Sequence, residues 1–304
     1  MSRVAAIDCG TNSIRLLIAD ITGSNLREVY RSIEIVRLGQ GVDKNKSFHP
    51  DAIERTLRAT KVFADEIVRR GVEAIRFCAT SATRDASNRD RFIDGVKAIL
   101  GIAPEVISGE QEAELSFLGA THQLNQAGTP YLVVDIGGGS TEFVYGKNSV
   151  EAAVSENIGC VRMSERHLLS SPPSKAQIDL AIADIDRAVK SAAEKVPISD
   201  AKTLIAVAGT ATTVAAAALG LESYDRDLIH LSRISAERCN QVAQLLLSLE
   251  RSEIAQLGYM HPGRVDVIAA GSLVLSRIMA LSGASEFVAS ESDILDGMAL
   301  LLAK

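Results

Sequence analysis

Short runs rich in Val, Ile, Leu and Ala punctuate the chain at 3–8, 14–20, 27–37, 72–79, 104–108, 131–136, 142–146, 150–157, 203–208 and 286–290, and each predicts a strand. Between several of them the apolar positions recur at helical spacing. In 51–70, Ile53, Leu57, Ala64 and Ile67 fall on one face, with Gly71 as a stop. In 172–190, Pro173 stands near the start and Ile178, Ile182, Ile185 and Val189 form the stripe. Strands alternating with helices indicate an α/β protein, with a hairpin opening each half.

The pattern repeats. VAAIDCGTNSIRLL (4–17) and VVDIGGGSTEFVYG (133–146) share one layout, in which Asp8-x-Gly10-x-x-Ser13 returns 127 residues later as Asp135-x-Gly137-x-x-Ser140. Ala79-Thr80-Ser81-Ala82-Thr83 resembles Ala208-Gly209-Thr210-Ala211-Thr212, 129 residues on. Two matches in the same order at nearly the same offset indicate an internal duplication. The polar stretch HQLNQAGTP (122–130) separates the copies, so the expected domains are 1–125 and 126–304. At 304 residues the chain has room for two such domains. Two similar lobes facing each other across a cleft follow, and a cleft between lobes is where ligands usually bind.

Each recurrent turn runs from a strand ending in Asp through glycines into a second strand. In such a turn several backbone N–H groups can point the same way, and glycine lets a bulky anion approach them. Gly10, Thr11, Asn12 and Ser13 form the first candidate phosphate cradle; Gly137, Gly138, Gly139, Ser140 and Thr141 form the second. An ordinary hairpin turn uses the same residue types, but two such turns at homologous places favour the cradle. Carboxylates beside phosphates repel them unless a divalent cation intervenes, so Asp8, Asp135 and Glu142 are candidate Mg²⁺ ligands. Asp8 has a second reading as a turn-capping carboxylate.

Composition narrows the class. Apolar residues at 47% and charged residues at 23% describe a globular chain, and no apolar run reaches the roughly 18 residues of a membrane span. The N-terminus enters a strand pattern at once with no targeting signature, which gives a cytoplasmic expectation. The net charge of −6 argues against duplex nucleic acid as a partner, though not against a phosphate ligand. The four cysteines lie far apart with no metal spacing and read as buried apolar residues, and the five histidines show none either. Neither a P-loop nor a dinucleotide fingerprint is present.

The pair IDCGTNSIRLL and VDIGGGSTEFV, with AVAGTATT at 206–213, resembles the actin, Hsp70 and sugar-kinase superfamily. More narrowly, GTNSIRLL, CATSATRDASNRDRF, EVISGEQEAELSFLGA and VVDIGGGSTE, in that order, resemble the exopolyphosphatase and guanosine pentaphosphate phosphohydrolase family across essentially the whole chain. The resemblance implies two actin-like (ribonuclease H-like) lobes and the short form without the extra C-terminal helical domains of longer members. It implies Mg²⁺-dependent hydrolysis of a terminal phosphate from inorganic polyphosphate, with guanosine pentaphosphate as the alternative substrate. The family's catalytic acid lies in a Ser-Gly-x-Glu-Glu-Ala motif, here Ser108-Gly109-Glu110-Gln111-Glu112-Ala113, which places the role on Glu112 and puts Gln where Glu is common. Locally, Ser108 and Gln111 have capping-box spacing and Glu110 suits the positive end of a helix, leaving Glu112 for chemistry or for an ordinary first-turn acid. Arg84 corresponds to a family arginine at the cleft, and Gly209 and Thr210 match the loop that meets nucleotide in superfamily kinases.

Two other classes compete: a small-molecule kinase, which would need ATP, and a nucleotide-gated binder, for whose usual insertions 304 residues leave little room. Gly263-Arg264-Val265-Asp266 reads as the start of an apolar helix and stays outside the expected site. The last segment, 291–304, has a cap followed by an apolar stripe and could pack on the first lobe. A homodimer is compatible with exposed strand edges, but no segment identifies an interface.

Overall fold

A computed structural model of the chain describes residues 1–124 and 126–302. The expected boundary at 125/126 falls on Asn125, outside the described residues, as do Ala303 and Lys304 at the end of the expected terminal segment. The chain divides into two compact units: Met1–Gly119 together with the segment that starts at Asp293, and Ala120–Ser292.

In the first unit, β1 (Ser2–Cys9) pairs antiparallel with β2 (Ser13–Thr22), and β2 with β3 (Asn25–Ile35). On its other side β1 pairs parallel with β4 (Ala74–Ala79), which pairs parallel with β5 (Glu105–Val106). The order is β3-β2-β1-β4-β5. Period-two alternation makes this sheet apolar on both faces. Ala5, Ile7, Leu16, Ile18 and Phe77 pack with Phe63 and Phe92 from the helices Pro50–Arg69 and Asp90–Leu100. Val4, Ala6, Leu17 and Ala19 pack on the opposite face with Ile294, Leu295, Met298 and Ala299 of the terminal helix Ile294–Leu302.

The second unit repeats this plan. β6 (Tyr131–Ile136) pairs antiparallel with β7 (Thr141–Gly146), and β7 with β8 (Val150–Glu156). β6 pairs parallel with β9 (Thr203–Val207), β9 parallel with β11 (Glu286–Ala289), and β11 antiparallel with β10 (Arg233–Ser235). Apart from β10 at the edge, the order β10-β11-β9-β6-β7-β8 is that of the first unit read from the other end. Its core joins Leu132, Val134, Phe143, Ala206 and Phe287 to the helices Lys175–Ala193, Ala208–Leu219, Ala236–Ser248 and Ile268–Ser282.

Some local expectations shift. The helix expected over 172–190 begins at Lys175, because Ser174 caps it and Gln177 reaches back to complete a capping box, so both prolines precede it. The 104–108 strand shrinks to Glu105–Val106, and β10, three residues long, is too short to leave a periodic signal. All four cysteines are buried, and burial pushes the thiols of Cys78 and Cys239 up to about 12. Among the described residues no helix is long and apolar enough to cross a membrane.

Candidate active site

In the first unit the carboxyl ends of β1, β4 and β5 lie level, since Cys9 pairs with Ala79 and Ala79 with Val106. Loops leaving that end of parallel strands are where open α/β sheets bind ligands. Three predicted segments leave it: the first glycine turn, the helix Ser81–Asp85 carrying Arg84, and Ile107–Glu112. Ser108 Oγ accepts from Gln111 N at 3.2 Å and Gln111 Oε1 from Ser108 N at 3.0 Å, so the expected capping box forms. The box fixes the start of the helix Gly109–Thr121 and with it Glu112, which is only 9% exposed. Arg84 Nη1 donates to Glu112 Oε2 at 2.7 Å and to the Ile107 carbonyl at 2.9 Å. The two residues proposed for catalysis are therefore in direct contact, as a charge-assisted pair at a strand end.

The first turn is held from behind. Val36 N and Arg37 N donate to Asn12 O at 3.1 and 2.8 Å, and Gly39 N donates to Thr11 O at 2.8 Å. In a trans peptide the C=O and the following N–H point in opposite directions, so the N–H groups of Asn12 and Ser13 face away from this loop. Arg37 adopts φ 49° to make its contact, a left-handed conformation that costs about 1–2 kcal/mol for a residue with a Cβ. Thr11 Oγ1 is buried without a hydrogen-bond partner in the structure, as expected of a hydroxyl set aside for a ligand. Asp8 is not an isolated carboxylate. It faces Arg15 across β1 and β2 and accepts from Arg15 Nη2 at 2.6 Å and Nε at 3.0 Å, while Arg15 Nη1 also binds Asp293. Burial pushes the Asp8 carboxyl up, against the pull of Arg15.

The second turn is seated differently. Cys160 N donates to Gly137 O, Val161 N and Arg162 N to Gly138 O, and Gly159 N to Gly139 O. Gly137 N closes the turn on Ser140 O at 3.0 Å. Asp135 pairs in register with Glu142, with 5% and 0% exposure. Ser140 Oγ and Ser155 Oγ each donate to Glu142 Oε1 at 2.7 Å. Side chains directly opposite on adjacent strands share a face, and two buried carboxylates there repel one another. Hard oxygen donors in this arrangement fit a divalent cation such as Mg²⁺. Thr141 is turned inward, its hydroxyl donating to Ile158 O at 3.0 Å. Among the described residues no three His, Cys, Asp or Glu side chains gather into a metal cluster.

Gly209 and Thr210 open the helix Ala208–Leu219 at the end of β9, level with the second turn because Asp135 pairs with Val207. Thr210 is buried against Gly271 and Cys160, and Ala208 holds φ 66°. Beside them lies Arg264, which the sequence pattern leaves outside the expected site. Arg264 stands in the turn Pro262–Arg264, ahead of the helix that starts only at Ile268, and its guanidinium lies against the Gly209 backbone. Arg264 Nη1 donates to Thr213 Oγ1 at 2.9 Å. The signal available in the sequence was His-Pro-Gly immediately before it, a turn rather than a helix face. Arg15 and Arg162 were likewise missed, each a lone cation in an apolar run.

The model of the Ppx/GppA phosphatase family matches residues 17–299. Exopolyphosphatase 2 of Mycobacterium tuberculosis is 45% identical over 316 aligned positions, covering 100% of this chain and 99% of that protein. A crystal structure of an exopolyphosphatase-like protein superposes with a TM-score of 0.96 at 44% identity, covering 99% of this chain and 97% of that one. The Ppx/GppA family member of Aquifex aeolicus superposes with a TM-score of 0.83 at 27% identity, with the same coverage of 99% and 97%.

Proposed function

The chain belongs to the Ppx/GppA phosphatase family, and from that premise we propose that it is an exopolyphosphatase, a phosphoanhydride hydrolase that removes the terminal phosphate of inorganic polyphosphate. The observation that carries the reading is the Arg84–Glu112 pair, 2.7 Å apart at the level strand ends beside the first glycine turn. Phosphoryl transfer asks mainly for positioning, neutralised charge and an acceptor that orients the nucleophile. Glu112 accepts the proton of a water whose oxygen attacks the terminal phosphorus. The bond from that phosphorus to the bridging oxygen breaks, releasing orthophosphate and a chain shorter by one unit. Arg84 fixes the Glu112 carboxylate through one oxygen, so its orientation is set before substrate arrives.

In the first unit the amides of Asn12 and Ser13, with the Thr11 hydroxyl, are the proposed donors to phosphate; in the second unit they are the amides of Gly138, Gly139 and Ser140. Asp135 and Glu142 would hold Mg²⁺, which when bound neutralises charge on the phosphate oxygens. Low aromatic content, 4% with no Trp, favours a featureless polyanion over a stacked base.

Phosphate release is measured from polyphosphate, guanosine pentaphosphate and ATP, with and without Mg²⁺, for wild type and Glu112→Gln. The expected result is Mg²⁺-dependent release, fastest from polyphosphate, lowered about 100-fold or more in a folded Glu112→Gln protein. Preference for the pentaphosphate moves the assignment to the alternative substrate. Release that ignores the substitution removes Glu112 from the chemistry.

A further inference from the structure

We propose that Arg162 and Gly159 are positioning residues for the second phosphate turn: together they seat its carbonyls on one side and so aim the amides of Gly138, Gly139 and Ser140 at phosphate. The inference rests on the reading of that turn as a phosphate site.

Three successive peptide groups of the turn are tied on their carbonyl side. Gly137 O takes Cys160 N at 2.9 Å, and Gly138 O takes Val161 N at 2.9 Å and Arg162 N at 3.1 Å. Gly139 O takes Gly159 N at 3.3 Å and the Arg162 Nε at 2.7 Å. With each carbonyl fixed, the following N–H is turned the opposite way, which sends the N–H groups of Gly138, Gly139 and Ser140 out from one face. A set of converging backbone amides is an anion-binding nest.

Gly159 is what lets the seat approach. A Cβ at this position would lie 2.3 Å from Gly138 C, 2.4 Å from Gly138 O and 2.5 Å from Gly139 N, all of them backbone atoms with no side chain to yield. Arg162 adds a side-chain donor to this turn's carbonyls. It is only 6% exposed, and a cation is costly to bury unless oriented dipoles receive it. In the first turn the carbonyls of Thr11 and Asn12 are held by backbone N–H groups of Val36, Arg37 and Gly39.

The test measures binding of tripolyphosphate in the Glu112→Gln background, by calorimetry and by the ¹⁵N–¹H shifts of Gly138, Gly139 and Ser140, and KM and kcat for polyphosphate with Glu112 intact. Arg162→Met is expected to weaken binding about tenfold and to raise KM more than it lowers kcat, with partial recovery in Arg162→Lys, which keeps the charge but loses the planar fork. The three amides should shift with ligand in the parent and much less in Arg162→Met. Binding and KM within twofold of the parent in a folded Arg162→Met overturn the proposal. Should that variant not fold, Arg162→Lys decides: binding weakened about threefold or more supports the seat, and unchanged binding overturns it. A parent that binds tripolyphosphate at these amides yet hydrolyses no substrate leaves the seat standing and sinks the functional reading; no shift at these amides in the parent sinks the seat alone.

Discussion

Across from Asp8 on the neighbouring strand stands Arg15; across from Asp135, at the position 127 residues later, stands Glu142. The backbone around the two positions is the same hairpin with the same Gly-to-Ser closing bond, Gly10 N to Ser13 O at 2.9 Å and Gly137 N to Ser140 O at 3.0 Å. One exchange of charge separates them. In the first unit the acid is neutralised within the fold, and Arg15 extends the pairing to Asp293 at the head of the terminal helix. In the second unit the residue opposite the acid is a second carboxylate, Glu142, which accepts from the Ser140 and Ser155 hydroxyls. The duplicated turns thus differ in the residue opposite the acid, a cation in one copy and a second carboxylate in the other, and the proposed Mg²⁺ ligands lie in the second.

The strongest test removes one charge from each turn. Asp135→Asn is expected to lower kcat/KM about 100-fold and raise the Mg²⁺ concentration needed for half-maximal activity, whereas Asp8→Asn lowers it tenfold or less with an unchanged Mg²⁺ requirement. Steady-state kinetics over a Mg²⁺ series would settle it. Equal losses, or a larger Mg²⁺ shift in Asp8→Asn, would mean that the first turn also holds the cation and that the contrast between Arg15 and Glu142 has been over-read.

That contrast shows what the sequence made legible. The glycine turns, their acids, the duplication and the Ser108–Gln111 box all depend on neighbours within a few residues or on repetition, and such signals survive in one dimension. The partners of Arg15, Arg84, Arg162 and Arg264 lie elsewhere. Arg15 meets Asp293 across 278 positions and Arg264 meets Thr213 across 51, and no local spacing announces either pairing. Arg162 reads as an interruption of the apolar stretch GCVRM until the strands bring the second turn beneath it. The terminal helix was visible as an apolar stripe, but only the packing of Ile294, Leu295 and Met298 against Val4, Ala6 and Leu17 shows where it goes.

A smaller effect probes how rigidly the first turn must be held. Gly39 donates its N–H to Thr11 O, and a Cβ there would lie 2.3 Å from Thr11 Cγ2 and 2.9 Å from Ala82 Cβ. Gly39→Ala is expected to cost about 1–3 kcal/mol in denaturant unfolding and to raise KM severalfold through displacement of Thr11. A fully stable variant with wild-type KM would show that the first turn tolerates movement, and would leave the second as the only stiff cradle of the two.

The smallest expected effect decides between burial and Arg15 at Asp8. Its carboxyl is raised above the ordinary 3.8 because desolvation outweighs the guanidinium beside it. The fold therefore retains a proton that the unfolded chain has already released, and stability must fall as pH rises through that window. Relative to Asp8→Asn, which does not titrate, the wild type should be most favoured below about pH 4 and lose ground as the medium approaches neutrality. Asp20 supplies the opposite sign within the same unit. Its carboxyl is depressed, chiefly by hydrogen bonds from Arg3, so its contribution is present above the ordinary carboxyl range and disappears as pH falls through its lowered value. Urea midpoints of wild type, Asp8→Asn and Asp20→Asn between pH 3 and 7 should diverge in opposite directions. If the wild type instead gained on both variants with rising pH, Arg15 would outweigh burial, and the first turn would carry a stabilising ion pair instead of a strained one.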